Sequence, residues 1–191
     1  MSDKCWSPLI KDIQSSNMFR FIKYVNSKYA LEISNYSQLH KWSINNSNDF
    51  WSSVWSFCDI KFSKNFKTVY DNPNVEPGVN WFEPSKLNFA ENLLIYKDSD
   101  RIAIKYVNES QKIKSISYRD LYSKVCYVEK YLIDQGVEKG DRVAAYLPNI
   151  PEAIICMLAT TSIGAIWTSC SPDFGINGVI DRFFQVEPKI L

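Results

Sequence analysis

Few residues in this chain have the type and spacing to do chemistry, and each has a plainer role to weigh beside the chemical one. Ser171-Pro172-Asp173-Phe174-Gly175-Ile176-Asn177-Gly178 runs from a strand-like segment into a helix-like one. Such a turn leaves backbone N–H groups at a helix start, where an anion can be held. The plainer reading is a loop with Asn177 as helix cap. His40, between Leu39 and Lys41-Trp42, carries an imidazole suited to general-base work, but no serine or cysteine nucleophile pattern accompanies it. A reactive Cys170 would need an electropositive neighbour, and none adjoins it in sequence, so an inert thiol is expected. Trp51 and Trp55 could stack on an adenine, but their helical spacing reads as core packing. Asp98 and Asp100, next to Lys97, read as a solvated loop before a strand.

What is scarce excludes more than what is present suggests. The chain of 191 residues has 6 Gly, no two adjacent, and 1 His. A glycine-rich phosphate cradle and a multi-His metal site are thereby excluded, and no metal ligands are assigned. Lys plus Arg is 22 and Asp plus Glu is 21, a formal net charge of +1, so neither a nucleic-acid footprint nor an anionic-membrane one is expected. The 5 cysteines are widely spaced and odd in number, with no C-x-x-C pair. That argues against a disulfide framework or a zinc site and for a reducing, cytoplasmic setting. Met1 to Trp6 shows no signal-peptide pattern, and the apolar run from Ala153 to Ile166 is too short to span a bilayer. Hydrophobic residues at 46% are enough for a packed core.

The elements that must position these residues change character near Lys97. Before it the chain is rich in Asn, Ser and aromatics. One helix is expected from about Ile10 to Ala30, and two short ones over Ser37–Ser43 and Asp49–Cys58. Phe62 to Glu91 reads as irregular, broken by Pro73, Pro77, Gly78 and Pro84. After Lys97, Arg101–Val107 and Lys112–Ile116 predict a hairpin. Ser117 with Asp120 predicts a helix start, a stripe of Leu121, Val125, Val128 and Leu132 continues it, and Gly136 stops it. Arg142–Leu147 predicts a strand, and Asn149 with Glu152 a second helix start. The helix Ala153–Ile163 is apolar almost all round and should be buried, with Ile154, Met157, Leu158 and Ile163 in the core. Ala165–Ser169 predicts a strand, Gly178–Gln185 a helix capped by Asn177, and Lys189-Ile190-Leu191 the start of another strand. That alternation predicts an α/β fold: a helical N-terminal region followed by an incomplete, mostly parallel βαβ sheet.

Four segments, in order, carry a family resemblance. Trp81-Phe82-Glu83-Pro84-Ser85-Lys86-Leu87-Asn88-Phe89-Ala90-Glu91-Asn92-Leu93-Leu94 resembles the N-terminal signature of acyl-CoA synthetases of the acetyl- and acetoacetyl-CoA synthetase type. Ile116-Ser117-Tyr118-Arg119-Asp120-Leu121 resembles the first core motif of adenylate-forming enzymes, and Gly140-Asp141-Arg142-Val143 through Leu147-Pro148-Asn149 their next strand and turn. Ser162 to Gly175 is the most telling: its Ser-Pro-Asp-Phe-Gly form resembles the acetoacetyl branch, as does the ending Ala90-Glu91-Asn92-Leu93-Leu94. Glu83-Pro84-Ser85 departs from the family's usual Pro-Gly-Ala.

The resemblance implies residues 1–97 as an acetyl-CoA synthetase-type N-terminal region and 98–191 as the first, truncated part of an AMP-binding domain. It implies an ATP-dependent acid–CoA ligase, with an acyl-adenylate and then a thioester, using ATP, Mg²⁺ and CoA and acting on small molecules. The strand-to-helix turn with Asp173, Phe174 and Gly175 would lie on the CoA side. The matching region ends before the family's phosphate loop and catalytic lysine. No catalytic residue is therefore assigned, no cofactor is expected for the chain alone, and it is expected to be inactive alone. Its open sheet edge is expected to favour self-association. A stand-alone, non-catalytic module that binds CoA or a partner, and a piece of an acetyl- or propionyl-CoA synthetase, are the alternatives.

Overall fold

The computed structural model describes residues 5–71, 78–109 and 111–191. The chain packs as two units, Met1–Lys86 and Leu87–Leu191. The composition changes at Lys97, later than this division, because Ala90 and Leu94 are buried in the core of the second unit.

In the first unit, the helix expected over Ile10–Ala30 is two: α1 (Ile10–Ser15) and α2 (Asn17–Tyr29). Ser16 breaks them apart. Its backbone is extended, and its hydroxyl accepts the Phe19 N–H at 3.1 Å, so a mid-run serine acts as the cap of α2. α1 buries none of its residues. α3 (Tyr36–Asn45) and α4 (Ser47–Phe57) follow where short helices are expected. Phe21, Ile22, Val25 and Leu39 form the core, with Phe50, Val54 and Phe57 packed against it. The segment read as irregular contains a small antiparallel pair, β1 (Thr68–Tyr70) with β2 (Trp81–Glu83). Pro73 and Pro77 lie outside the described residues. Trp55, buried, packs against Phe62, Phe66 and Phe82 with ring centroids 4.9–5.7 Å apart. Aromatic contact between distant segments thus builds what short-range periodicity cannot show.

The second unit opens with α5 (Phe89–Leu93) and the expected hairpin, β3 (Ile102–Tyr106) antiparallel to β4 (Lys114–Ser117). Ser117 caps α6 (Tyr118–Asp134): its hydroxyl accepts the Asp120 N–H at 3.1 Å and donates to the Asp120 carboxylate at 2.7 Å. Gly136, at φ 75°, takes the left-handed turn after the helix. β5 (Arg142–Tyr146), α7 (Pro151–Ser162) and β6 (Ile166–Cys170) form a βαβ unit with parallel strands. α8 (Ile176–Val186) comes next, and Ile190 then makes a parallel bridge to Val143. Val143 already pairs with Trp167, so β5 is the central strand.

Side chains on β5 alternate as a pleated strand requires. Val143 joins the large core with Leu121, Val125, Leu132, Ile155, Leu158 and Ala159 of α6 and α7. Ala144 joins a smaller cluster with Cys170 and Phe183. α6 and α7 therefore cover one face and α8 the other.

Three local expectations are corrected. α7 is capped by Ile150 with no side-chain bond, and α8 by Gly175, so neither Asn149 nor Asn177 is a cap; Asn177 lies inside α8. Pro151 at the first helical position fixes where α7 starts, and the extended backbone of Gly175 starts α8 two residues early. Ile154 is 39% exposed, whereas Leu158 is buried at 2%. Ile154 sits in the first turn, beside Tyr106 and Ile113, where the covering layer is thin. Met157 and Ile163 are half-buried against the core. Cys126 and Cys156 are also half-buried.

One ion pair and several hydrogen bonds to backbone carbonyls tie the sheet to the ends of its helices. Lys189 reaches Asp141 at 2.8 Å and also donates to the Gly136 carbonyl, while Arg142 donates to the Val186 and Glu187 carbonyls at 2.9 and 3.0 Å. The Lys189 ammonium and the Glu138 N–H hold the Asp141 carboxyl below its ordinary range.

Two outcomes are expected. Leu158→Ala should destabilise the second unit by about 2–5 kcal/mol, read as a lower denaturation midpoint; an unchanged midpoint would show that α7 is not packed as described. Because the folded carboxyl of Asp141 titrates below the unfolded one, its stabilisation is present above the ordinary carboxylate range and is lost as pH falls through the folded value. Asp141→Asn should therefore flatten part of the acid limb of a stability–pH profile and leave the neutral-pH shape unchanged.

Candidate functional site

Parallel α/β sheets place ligands in the crevice outside the carboxyl ends of their strands. Here that edge consists of the turn Leu147–Ile150 after β5 and the loop Ser171–Gly175 after β6. The last register pair of the two strands, Tyr146 with Cys170, brings the loops together, and the Leu147 N–H donates to the Cys170 carbonyl at 3.2 Å.

The Ser171–Gly175 loop is exposed but shaped. Its turn closes through the Phe174 N–H to the Ser171 carbonyl at 3.1 Å. The Ser171 hydroxyl donates to the Asp173 carboxylate at 2.8 Å. The Tyr146 hydroxyl reaches across from β5 to the Pro172 carbonyl at 3.0 Å, with the Phe174 carbonyl at 3.4 Å. The Phe174 ring lies back on α8, with the Arg182 guanidinium 4.3 Å from its centroid. A Cβ at Gly178, one turn before Arg182, would stand 3.8 Å from the same ring. Asp173, Phe174 and Gly175 are thus brought to the strand ends. Tyr146 and Arg182, which shape them, were not singled out from the sequence. The signal for Tyr146 is its place as the last residue of its strand; that for Arg182 is its position one turn beyond Gly178 on the same helix face.

The other candidates lie elsewhere. His40 is exposed and stacks on Tyr36, with ring centroids 5.9 Å apart. It lines an apolar groove of about 340 Å³ with Met18, Phe21, Leu39, Val54 and Phe57. Trp51 packs edge-on against Phe50 and Trp81, and Trp55 is core. Cys170 is buried under Phe183. The segment with Asp98 and Asp100 is more ordered than a plain solvated loop. Arg119 donates to the Asp100 carboxylate at 2.8 Å and to the Asp98 carbonyl at 2.7 Å, and this guanidinium holds the Asp100 carboxyl below its usual range. Lys97 sits over the Tyr122 ring. Among the described residues, no group of three or more His, Cys, Asp or Glu could hold a metal ion, and no helix is long and apolar enough to cross a membrane.

The motif residues mostly build the frame. Asn88 caps α5 through its carbonyl oxygen and, through its amide, satisfies the Thr161 and Ser162 carbonyls at the end of α7, at 3.0 and 2.8 Å. Arg119 anchors the strand entry, and Arg142 the end of α8.

Comparison with known proteins gives the same frame a wider setting. The family model described as AMP-binding enzyme matches residues 94–191, and the one described as acetyl-coenzyme A synthetase N-terminus matches 36–93. An acetoacetyl-CoA synthetase of Macaca fascicularis is 41% identical over 97% of this chain and 28% of its own length. A malonamoyl-CoA synthetase of Penicillium aethiopicum is 38% identical over 93% of this chain and 25% of its own. The solved acetoacetyl-CoA synthetase of Streptomyces lividans superposes with a TM-score of 0.89 at 36% identity, covering 96% of this chain and 29% of that one. The chain therefore spans under a third of the length of these relatives. With one family model covering its second half and a solved structure following nearly all of it, the chain belongs to the AMP-binding enzyme family of acyl-CoA synthetases and is similar to acetoacetyl-CoA synthetases within it.

Proposed function

We propose that the chain supplies the N-terminal region, residues 1–97, and the first part of the AMP-binding domain, 98–191, of an acid–CoA ligase of the acetoacetate–CoA ligase type. The observation that carries this reading is the match to acetoacetyl-CoA synthetases at about 40% identity over 97% of the chain. The acid would be set by residues outside this portion; a malonamoyl-CoA synthetase matches it too, at 38% identity.

The whole ligase would use ATP, Mg²⁺ and CoA. This chain's residues do not fit a triphosphate or its metal. Gly136, Gly140 and Gly164, all at positive φ, close the turns that follow α6, precede β5 and follow α7 rather than forming a cradle, and no acidic cluster is present among the described residues. No catalytic step is assigned to this chain. Its contribution is the loop bearing Asp173, Phe174 and Gly175, proposed as a wall of the CoA side. The same reading puts the protein in a reducing cytoplasm, where its five widely spaced cysteines would stay as free thiols. It also makes the open sheet edge at Ile190, together with the exposed apolar stripe Ile176, Ile180 and Phe184 of α8, a surface for self-association of the isolated chain.

Joining residues 1–191 to the remaining portion of the Streptomyces lividans enzyme tests the assignment. A soluble, cooperatively melting chimera should release pyrophosphate in an acetoacetate-dependent manner and form the CoA thioester; the 191-residue chain alone should do neither. A folded chimera without adenylate formation, or turnover by the purified chain alone at about 1 per second or more, would overturn it. Sedimentation of the isolated chain should show mass rising with concentration, and Phe184→Glu should suppress that rise; a concentration-independent monomer would remove the association claim.

A further inference from the structure

The loop Ser171–Gly175 carries more restraint than an exposed turn needs. Fixing a residue's backbone costs about 1–2 kcal/mol of conformational entropy, and an exposed loop recovers little of this through burial. Yet this loop is tied in three ways: to β5 by the Tyr146 hydroxyl, to α8 by the Phe174 ring beneath Arg182, and to itself by Ser171 and Asp173. Tyr146 and Phe174 are 46% and 40% exposed, and Arg182 is exposed as well. Contacts between groups this wet add little to global stability. What they select is one shape of the loop. The first two of these ties pull in defined directions. One turns the Pro172 and Phe174 carbonyls toward β5, and the other lays the Phe174 ring on α8 beside Arg182. Restraint that contributes little to folding but much to local geometry is the signature of preorganisation for a ligand.

We infer that Tyr146 and Arg182 are positioning residues for the thioester-forming step, holding the Ser171–Gly175 loop in the conformation that receives the thiol substrate CoA. This rests on the CoA-side assignment proposed above. Neither residue touches the reacting atoms. Each acts through the loop, so the first half-reaction, in which the acid is adenylated, does not depend on them.

The chimera described above, carrying Tyr146→Phe or Arg182→Leu, separates the outcomes. Loss of one hydroxyl bond or one cation–π contact should raise KM for CoA about three- to tenfold. Acetoacetate-dependent pyrophosphate exchange should stay within about twofold of the parent. Arg182→Lys retains charge but loses the planar face, and should fall between the parent and Arg182→Leu. An unchanged KM for CoA, or a parallel fall in exchange and thioester formation, would overturn the inference. If the parent chimera makes no adenylate, the functional assignment fails instead, and the positioning claim is decided on the 191-residue chain itself. There, amide hydrogen exchange at Asp173–Gly175 should quicken about two- to tenfold in Tyr146→Phe while the amides of α7 hold their rates. Unchanged exchange in the loop would refute the clamp.

Discussion

The second unit depends on the double coverage of β5. A central parallel strand has no face left for water, so successive side chains must find apolar cover on opposite sides. Val143 and Ala145 face one side and Ala144 the other, all three of them buried. The small alanines let helices approach the sheet closely from both directions. α7 must then be apolar on several sides at once, because it meets the sheet, α6 and α5 together. α8 needs only one apolar stripe against Ala144 and Cys170. The contrast between an all-apolar helix and an amphipathic one follows from which side of β5 each must cover.

The polar residues of the family motifs serve that arrangement. Each end of a covering helix leaves carbonyls or N–H groups unpaired. Asn88 satisfies the end of α7 and Arg142 the end of α8, both from segments adjacent to the core. These side chains thereby fix where the helices stop relative to the strands, and so where the loops at the carboxyl edge emerge. Arg119 does similar work for the entry to β3. Frame and candidate site are consecutive links in one chain of dependence.

Much of the second unit was legible from residue order. The hairpin, the Ser117 cap, the stop at Gly136 and the strand–helix–strand alternation all rest on short-range signals, and all are present. The first unit was less legible. Ser16 splits an apparently continuous helix through a side-chain cap that competes with helix propagation, and β1–β2 forms from three-residue strands too short to show alternation. Asn149 and Asn177 have the right chemistry for caps, but Pro151 and the extended backbone of Gly175 decide the helix starts. At the site, the loop Asp173–Gly175 was visible because its residue types are distinctive. Its anchors were not, because Tyr146 lies 26 residues from Pro172 in sequence and only the parallel pairing of β5 with β6 brings them together.

The uneven placement of aromatic residues has an optical consequence. Of the six tryptophans, Trp6, Trp42, Trp51, Trp55 and Trp81 fall in the first packing unit, and Trp167 alone in the second. Trp51 and Trp81 meet edge to face at 5.8 Å, and Trp55 is enclosed by phenylalanines. Intrinsic fluorescence of this protein is therefore chiefly a report on Met1–Lys86, with the emission of Trp167 a minor component. The βαβ unit that bears the candidate site is nearly dark in that channel. Its melting shows in the far-ultraviolet signal, where α6, α7 and α8 contribute alongside α2, α3 and α4, so a far-ultraviolet change that leaves the fluorescence steady belongs to the second unit.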